Sequence, residues 1–489
     1  MLQKKLVSGL FWVLLLNLIV KPFWILGIEV GVQNAVGATA YGFYFAIFNL
    51  AYIFNILLDV GITNYNTRNI ARHPQLIEKH LSGILAVKLL LLGLYAVVTF
   101  SVGLLLGYGS MQFHLLAVLS FNQFLNSLIL YLRSNFEGLL LFRWDSVISV
   151  LDRVIMIVIC GAMLWLPELT LGGTPFSVFH FAYAQTAAYL ATALVALAVL
   201  VRRTGVRRLR FNRLFTLAVL KQSLPFALLV LLMATYNRID PLLLGQLLPV
   251  AVADTEVGIY ASAFRLLDGL TMIAYLVSVP LLPVYARLTK GGEEKELEET
   301  TRWVFSLMMV FAVTAAVTLS CLAEPLMELL YNEHQEASAR VFRVLVYGII
   351  PIGITYVFGT LLTAAGRLKV LNLLACGALL AGVVANLLLI PRHGALGSAW
   401  ASLTAQSLMA VAQVVAALRI FRIRITRAYI LKLAAFTLWI VAVNVFLPPM
   451  QWWWALLATG AAALAAAIPL GLLDIRQLRT LLRKEQTEI

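Results

Sequence analysis

An all-α, polytopic membrane helix bundle with about fourteen transmembrane helices is predicted by three observations: composition, the spacing of apolar runs, and the side on which the basic residues fall. Of 489 residues, 62% are hydrophobic and 12% charged, against roughly 45–50% and 25% in soluble domains. A soluble domain of this composition lacks the polar groups to cover its surface, so lipid must be the solvent for most of the chain. Length alone would correspond to about three soluble domains; here it corresponds to one bundle of two halves.

A spanning helix needs ~20 apolar residues. The first run, near 6–29, follows Lys4 and Lys5. It exceeds a signal-peptide core and has no small-residue cleavage site, so an uncleaved first helix is expected. The second run, 39–58, leads into a loop with Arg68, Arg72 and Lys79. Runs at 81–106, 113–136, 146–166 and 177–201 follow, with Arg143 before the fifth and a loop from Pro167 to Pro175 before the sixth. A basic stretch from Arg202 to Arg213 then interrupts the apolar pattern. The seventh and eighth runs cover 223–247 and 257–283, and the acidic stretch Glu293–Glu299 reads as a solvated helical lead-in to the ninth, 302–323. Runs at 340–365, 370–390 and 397–418 complete a second set of six. The last two, 428–447 and 452–473, are separated by Pro448-Pro449, and Trp452–Trp454 reads as an interfacial aromatic belt. The expected organisation is an N-terminal lobe (1–201), a basic linker (202–222), a C-terminal lobe (223–418), and a final helix pair with a tail (419–489).

Alternating the spans places nearly every loop Lys and Arg on one side, with Arg392 on the other and Arg340 at the border. The positive-inside rule makes the basic side cytoplasmic and predicts both termini there, in a bacterial inner membrane. This topology accounts for the net charge of +14 without a nucleic-acid partner. The longest outer loop, Glu324–Ser338, has about fifteen residues, so no extramembrane domain is expected.

A faint repeat joins the halves. Gly42-Phe43-Tyr44-Phe45-Ala46-Ile47-Phe48 matches Gly258-Ile259-Tyr260-Ala261-Ser262-Ala263-Phe264 at an offset of 216 residues, which also sets Lys21 beside Asn237 and Arg238. Parallel halves of this kind are a known transporter layout.

Enzyme signatures are missing: there is no phosphate loop, HExxH motif or nucleophile elbow. His334, beside Glu333 and Glu336, lacks metal-ligand spacing, and no metal or cofactor is expected. Cys160, Cys321 and Cys376 lie in apolar runs without metal or disulfide spacing and read as small buried residues. The informative residues are the ionisable ones inside the spans. Each costs ~2.5–3.5 kcal/mol at mid-helix, so each should face a partner or an aqueous cavity.

Six basic residues meet that description: Lys21, Lys88, Arg133, Arg153, Arg238 and Arg265. The acids are Asp152, Asp240 and Asp268, with Glu29 and Asp59 at helix ends. The surplus predicts a cationic interior suited to an anion. Lys21, Arg238 and Arg265 each lie about eight residues in from the outer face, forming one layer; Lys88, Arg133 and Arg153 form a second, nearer the inner face. Plainer readings compete. Lys88 and Arg133 are close enough to the inner face to snorkel. Arg153 adjoins Asp152 and could pair within the bundle. Arg265 and Asp268 share a helical face at i, i+3 and could neutralise each other. Arg238, deep in the polar run Thr235–Pro241, is the strongest anion-site residue. Pro22 and Pro241 fall inside spans beside Lys21 and Arg238, where a kink would serve either as a hinge or as a packed irregularity. The Arg202–Arg213 run could hold anionic head groups, although orientation alone explains it.

Several segments resemble the polysaccharide-unit (O-antigen type) flippases of the multidrug/oligosaccharidyl-lipid/polysaccharide export superfamily. They are Leu58-Asp59-Val60-Gly61 with Arg68–Arg72, Val257–Tyr260, Ala364–Lys369, and Asn386 with Ile390–Ala399. The resemblance covers most of the chain. It implies two six-helix lobes, a central cationic cavity and alternating access. It also implies an undecaprenyl-pyrophosphate oligosaccharide substrate, moved to the periplasmic leaflet. Arg238 and Arg265, backed by Lys21, would hold the pyrophosphate; Asp240 and Asp268 would serve ion coupling. Membrane lipids and other polysaccharide-assembly proteins are the partners implied. The alternatives are a cation-coupled multidrug exporter, whose cavity should be net acidic; a peptidoglycan-precursor flippase, which shares the cationic cavity; and a polysaccharide polymerase or ligase, against which the short outer loops argue.

Overall fold

Trp24–Leu58, here α1, is a helical run of 35 residues. Drawn straight it would be about 52 Å long, far beyond the ~30 Å hydrocarbon core. It does not run straight, because Gly37 has non-helical torsions (φ 83°, ψ 161°). Trp24 and Tyr44, about 30 Å apart along a straight helix, both touch Phe181, with ring centroids at 6.0 and 5.2 Å. The run is therefore a helical hairpin; the arm after Gly37 carries the second predicted span, 39–58, while most of the first, 6–29, lies outside the described residues.

The computed structural model describes residues 19–20, 22–63, 66–67, 70, 77–139, 141–168, 174–204, 230–278, 281–423, 426–448 and 451–473. The basic linker after Thr204 and the predicted tail from 474 lie outside these residues. Two compact units are present, Met1–Gly258 and Ile259–Ile489.

In the first unit α1 is followed by α2 (Ile77–Leu105), α3 (Ser110–Gly138), α4 (Phe142–Trp165) and α5 (Val178–Thr204). Residues 230–238 form a helix, α6, that bends at Ile239 before α7 (Asp240–Leu247). Pro241 occupies the first turn of α7. There its missing N–H costs nothing, because that donor has no intrahelical partner in any case. A helix with a continuous ladder would lose a bond to Pro241; the bend at Ile239 removes that penalty by starting a new helix.

The 216-residue repeat has a structural counterpart in this unit. Thr39 and Thr255, one repeat apart, share a hydroxyl hydrogen bond of 2.8 Å. A Cβ on Gly42 would lie 1.8 Å from the Asp254 carbonyl oxygen, and one on Gly258 would lie 2.0 Å from the Ala38 carbonyl oxygen. The contact is thus reciprocal: each glycine faces the residue four positions before its repeat mate. Only glycine permits two backbones to approach this closely.

The second unit opens with α8 (Val250–Ser278), which crosses the boundary, and continues through α9 (Leu281–Gly291), α10 (Glu294–Cys321), α11 (Ala323–Leu330), α12 (Gln335–Leu345) and α13 (Ile349–Ala364). The predicted loop Glu324–Ser338 is largely helical. Alternating apolar and acidic residues in Ala-Glu-Pro-Leu-Met-Glu-Leu-Leu bury Ala323 and Met327 and leave the glutamates to solvent. The acidic lead-in is helical as expected, because α10 starts at Glu294.

Leu368–Phe421, α14, is 54 residues long and contains a second hairpin. Pro391 and the positive φ of Gly394 (56°, ψ −133°) break it. The two arms then meet: Ser398 Oγ donates to Asn386 Oδ1 at 3.0 Å, and a Cβ on Gly397 would press on the Leu389 carbonyl oxygen at 2.3 Å. Helices α15 (Arg427–Phe446) and α16 (Trp452–Ala467) are the last among the described residues. They bury Phe436, Ile440, Ala463 and Ala467 against Val310, Val313 and Val317 of α10.

Ten helices among the described residues are long and apolar enough to cross a membrane. One of them, α14, carries two of the predicted spans, and α16 adds a shorter apolar helix; the bundle is of the polytopic helical kind that the sequence predicts, with most of its first predicted span outside the described residues. Cys160 is buried as expected, but Cys321 and Cys376 are exposed. In lipid the outer face of a span is as apolar as its packed face, so an apolar run does not tell which way a cysteine points.

Candidate functional site

The charged residues inside the first unit divide into sealed pairs and aromatic-held cations. Lys88 on α2 is 1% exposed. Four acceptors surround its ammonium: Asp59 Oδ1 at 2.9 Å, Leu58 O at 3.0 Å, Ser127 Oγ at 2.7 Å and Ser127 O at 3.2 Å. It does not snorkel. It ties α2 to the end of α1 and to α3, and the same Asp59 oxygen, Oδ1, also accepts from the Thr63 hydroxyl at 2.5 Å. Arg133 on α3 makes a two-pronged pair with Asp145 at the start of α4, Nε to Oδ1 at 2.7 Å and Nη2 to Oδ2 at 3.2 Å. Each of these cations is matched by a carboxylate, the arrangement that offsets the cost of burial.

Arg153 on α4 is held differently. Its guanidinium lies 5.4 Å from the Trp24 ring centre and 5.9 Å from that of Tyr189, and its Nη1 donates to the Tyr189 hydroxyl at 3.3 Å. Asp152 Oδ2 is 3.7 Å from its Nε, the long end of ion-pair range. Trp24 donates to Glu29 Oε1 at 3.1 Å, so one aromatic ring joins Arg153 to the acid on α1. Trp24 and Glu29 belong to a π-helical turn, Trp24–Glu29, that starts two residues after Pro22. Such turns are over-represented at functional sites. Beside this cluster runs a neutral network: Gln185 donates to the Tyr44 hydroxyl at 2.8 Å, Thr186 to Asn122 Oδ1 at 2.7 Å, and Asn122 to the Ala182 carbonyl at 3.0 Å.

Arg238 ends α6 at the bend and is half-buried. Its guanidinium sits 5.1 Å from the centre of the Tyr52 ring on α1. An aromatic face stabilises a guanidinium through its ring quadrupole. The neighbouring polar side chains turn onto their own helix, Thr235 to the Leu231 carbonyl and Asn237 to the Met233 carbonyl, both at 2.8 Å. Asp240, 3% exposed, begins α7 two residues on.

In the second unit Arg265 on α8 is 5% exposed and donates through Nη1 to the Tyr331 hydroxyl at 3.2 Å. That hydroxyl donates in turn to the Ser262 carbonyl at 3.3 Å. Tyr331 follows α11, so the helix in the predicted loop positions the partner of a predicted site residue. Asp268 lies one turn further along α8 and is half-buried. Lys21 lies outside the described residues. The aromatic partners Trp24, Tyr52, Tyr189 and Tyr331 and the acid Asp145 escape a search restricted to unusual charges within spans; aromatic residues are common in membrane helices, and pairing across elements leaves no mark on local sequence.

A family model described as "Polysaccharide biosynthesis protein" matches residues 6–289. The chain belongs to the polysaccharide biosynthesis protein family. A second model, that of the lipid II flippase MurJ, matches residues 174–461, so this family member also carries the pattern of a lipid-linked flippase. The two models together cover all but the ends of the chain. Among solved structures, the lipid II flippase MurJ in an inward closed conformation superposes with a TM-score of 0.67 at 12% identity, covering 95% of this chain and 99% of that one. An inward-facing multidrug resistance MATE transporter of the MOP superfamily gives 0.63 at 15%, covering 81% and 94%. A MOP superfamily transporter from Pyrococcus furiosus, described as having a binding pocket of reverse polarity, gives 0.53 at 16%, covering 86% and 94%. At these identities the likeness establishes the shared fold. No curated protein sequence matches the chain significantly.

Proposed function

We propose that this polysaccharide biosynthesis protein is a flippase that moves an undecaprenyl-pyrophosphate-linked oligosaccharide, a polysaccharide or O-antigen repeat unit, from the cytoplasmic to the periplasmic leaflet by alternating access. No covalent chemistry is required of it, and its setting is the bacterial inner membrane with both termini cytoplasmic. The observation that carries the reading is the Arg238 guanidinium on Tyr52 at the helix bend, in a chain that matches both a polysaccharide biosynthesis model and a lipid II flippase model. A pyrophosphate is the anion such a centre takes, because a guanidinium presents paired donors to phosphate oxygens. Arg153, Arg265 and Lys21 are further cations along the path. Lys88 and Arg133 are matched to carboxylates and belong to the scaffold that holds it. Asp240 and Asp268 are the coupling carboxylates, and the bend at Pro241 is the hinge.

The test is transbilayer movement of a pyrophosphate-linked oligosaccharide polyprenol in vesicles containing the purified protein, beside Arg238→Ala. Movement that falls at least tenfold in the variant, ~1.4 kcal/mol, is expected. Movement unchanged by the substitution removes the site and keeps the function; no movement with or without an ion gradient sinks the flippase reading. A second reading, a peptidoglycan-precursor flippase, rests on the match to the MurJ model. Faster movement of lipid II than of the polysaccharide precursor in the same vesicles would select it.

A further inference from the structure

A cavity of about 490 Å³ opens in the second unit where the start of α10, the start of α15 and the segment after α16 meet. Its size is that of a small-ligand site. We propose that it binds the phosphate-bearing head group of an anionic phospholipid of the surrounding membrane.

Two cations line it, Arg302 and Lys432. Arg302 is steadied by an ion pair with Glu298 one turn earlier on α10, which fixes its guanidinium at the rim. Lys432 is exposed and makes no ion pair among the described residues; its ammonium lies 3.5 Å from the position a Cβ on Gly471 would take. Glu299 is the acid in the lining, and with Glu298 already paired to Arg302 the Lys432 ammonium is the cation left for a ligand. Neutral donors add to this. The Ser306 and Tyr429 hydroxyls form a pair at 2.7 Å across α10 and α15. Thr426 caps α15 by accepting from the Tyr429 N–H, which places the electropositive end of a 20-residue helix at the cavity.

The apolar half of the ligand is provided for as well. Below the cavity α10, α15 and α16 are packed shut by Val310, Phe436, Ile440 and Ala467, so a head group can enter but not pass. Beside it, Leu431, Leu438, Trp439, Leu464 and Ile468 are exposed along α15 and α16. A ligand with a charged head and acyl chains matches this division, whereas free phosphate would use only the polar part. A basic pocket between membrane helices is a known mode of anionic-lipid recognition. The site lies in a different unit from Arg238 and does not depend on the transport reading.

The experiment titrates the purified full-length protein with dioctanoyl phosphatidylglycerol, dioctanoyl phosphatidylcholine and inorganic phosphate, read by native mass spectrometry and by the shift in unfolding temperature. Phosphatidylglycerol is expected to bind at least tenfold more tightly than phosphatidylcholine. Lys432→Ala should weaken it at least fivefold, with Lys432→Arg restoring it and the exposed Arg367→Ala leaving it unchanged. Arg302→Gln gives a second loss if Lys432→Ala folds poorly. Equal binding of the two lipids, an unaffected Lys432→Ala, or an equal loss in Arg367→Ala overturns the site. Inorganic phosphate binding as tightly as phosphatidylglycerol, and lost in Lys432→Ala, assigns the cavity to a soluble phosphate and overturns the lipid.

Discussion

At the scale of single residues, what an intramembrane charge does is decided by what faces it. Lys88, a cation within a predicted span, is enclosed by a carboxylate and three further oxygens, while the Arg238 guanidinium also packs over the Tyr52 ring. Removing the ammonium of Lys88 leaves Asp59 with a charge and no counter-ion, a change that costs about 3–5 kcal/mol in buried pairs. Lys88→Met is therefore expected to lower the unfolding midpoint in detergent and the folded yield, and adding Asp59→Asn should recover part of the loss. A Lys88→Met protein that keeps its unfolding midpoint but no longer moves substrate would instead put Lys88 in the transport path. That these positions carry charge was legible in the chain. That Lys88 meets residues of two other elements, 29 to 39 positions away, was not, because pairing across helices leaves no local pattern.

At the scale of elements, two hairpins and one close crossing shape the bundle. Both hairpins turn at glycines with positive φ, Gly37 and Gly394, and apolar runs on either side of Gly394 already marked two spans. The crossing of α1 with the start of α8 is less visible. The sequence match at Gly42 and Gly258 shows a repeat, but not that the repeated glycines lie against each other's helix. Gly42→Ala forces a Cβ onto the Asp254 carbonyl, and overpacking of this kind costs about 1–3 kcal/mol. A lowered unfolding midpoint is expected for Gly42→Ala. Gly245→Ala should be nearly neutral, because its Cβ would find its nearest neighbour at 3.9 Å. Equal stability of the two variants would show that the crossing yields. The connection Glu324–Ser338, read from the sequence only as the longest outer loop, contains an eight-residue helix with one buried face.

For the whole molecule, the distribution of basic residues makes a claim about orientation. In a protein whose native cysteines are replaced by serine, a cysteine at exposed Ser110 should react with an impermeant maleimide in intact cells. One at exposed Lys295 should react only after the membrane is opened. The reverse pattern would invert the topology, and with it the direction of transport. Fold class and the approximate number of spans were legible in the sequence itself, because a bilayer accepts only chains whose apolar runs match its thickness and whose backbone is satisfied within each helix. The partners of the buried charges, the aromatic supports of Arg153 and Arg238, the contact between repeated glycines and the cavity beside α15 were decided by tertiary packing alone. Each is a meeting of residues from different helices, and the energy of such a meeting depends on distances that no single segment encodes.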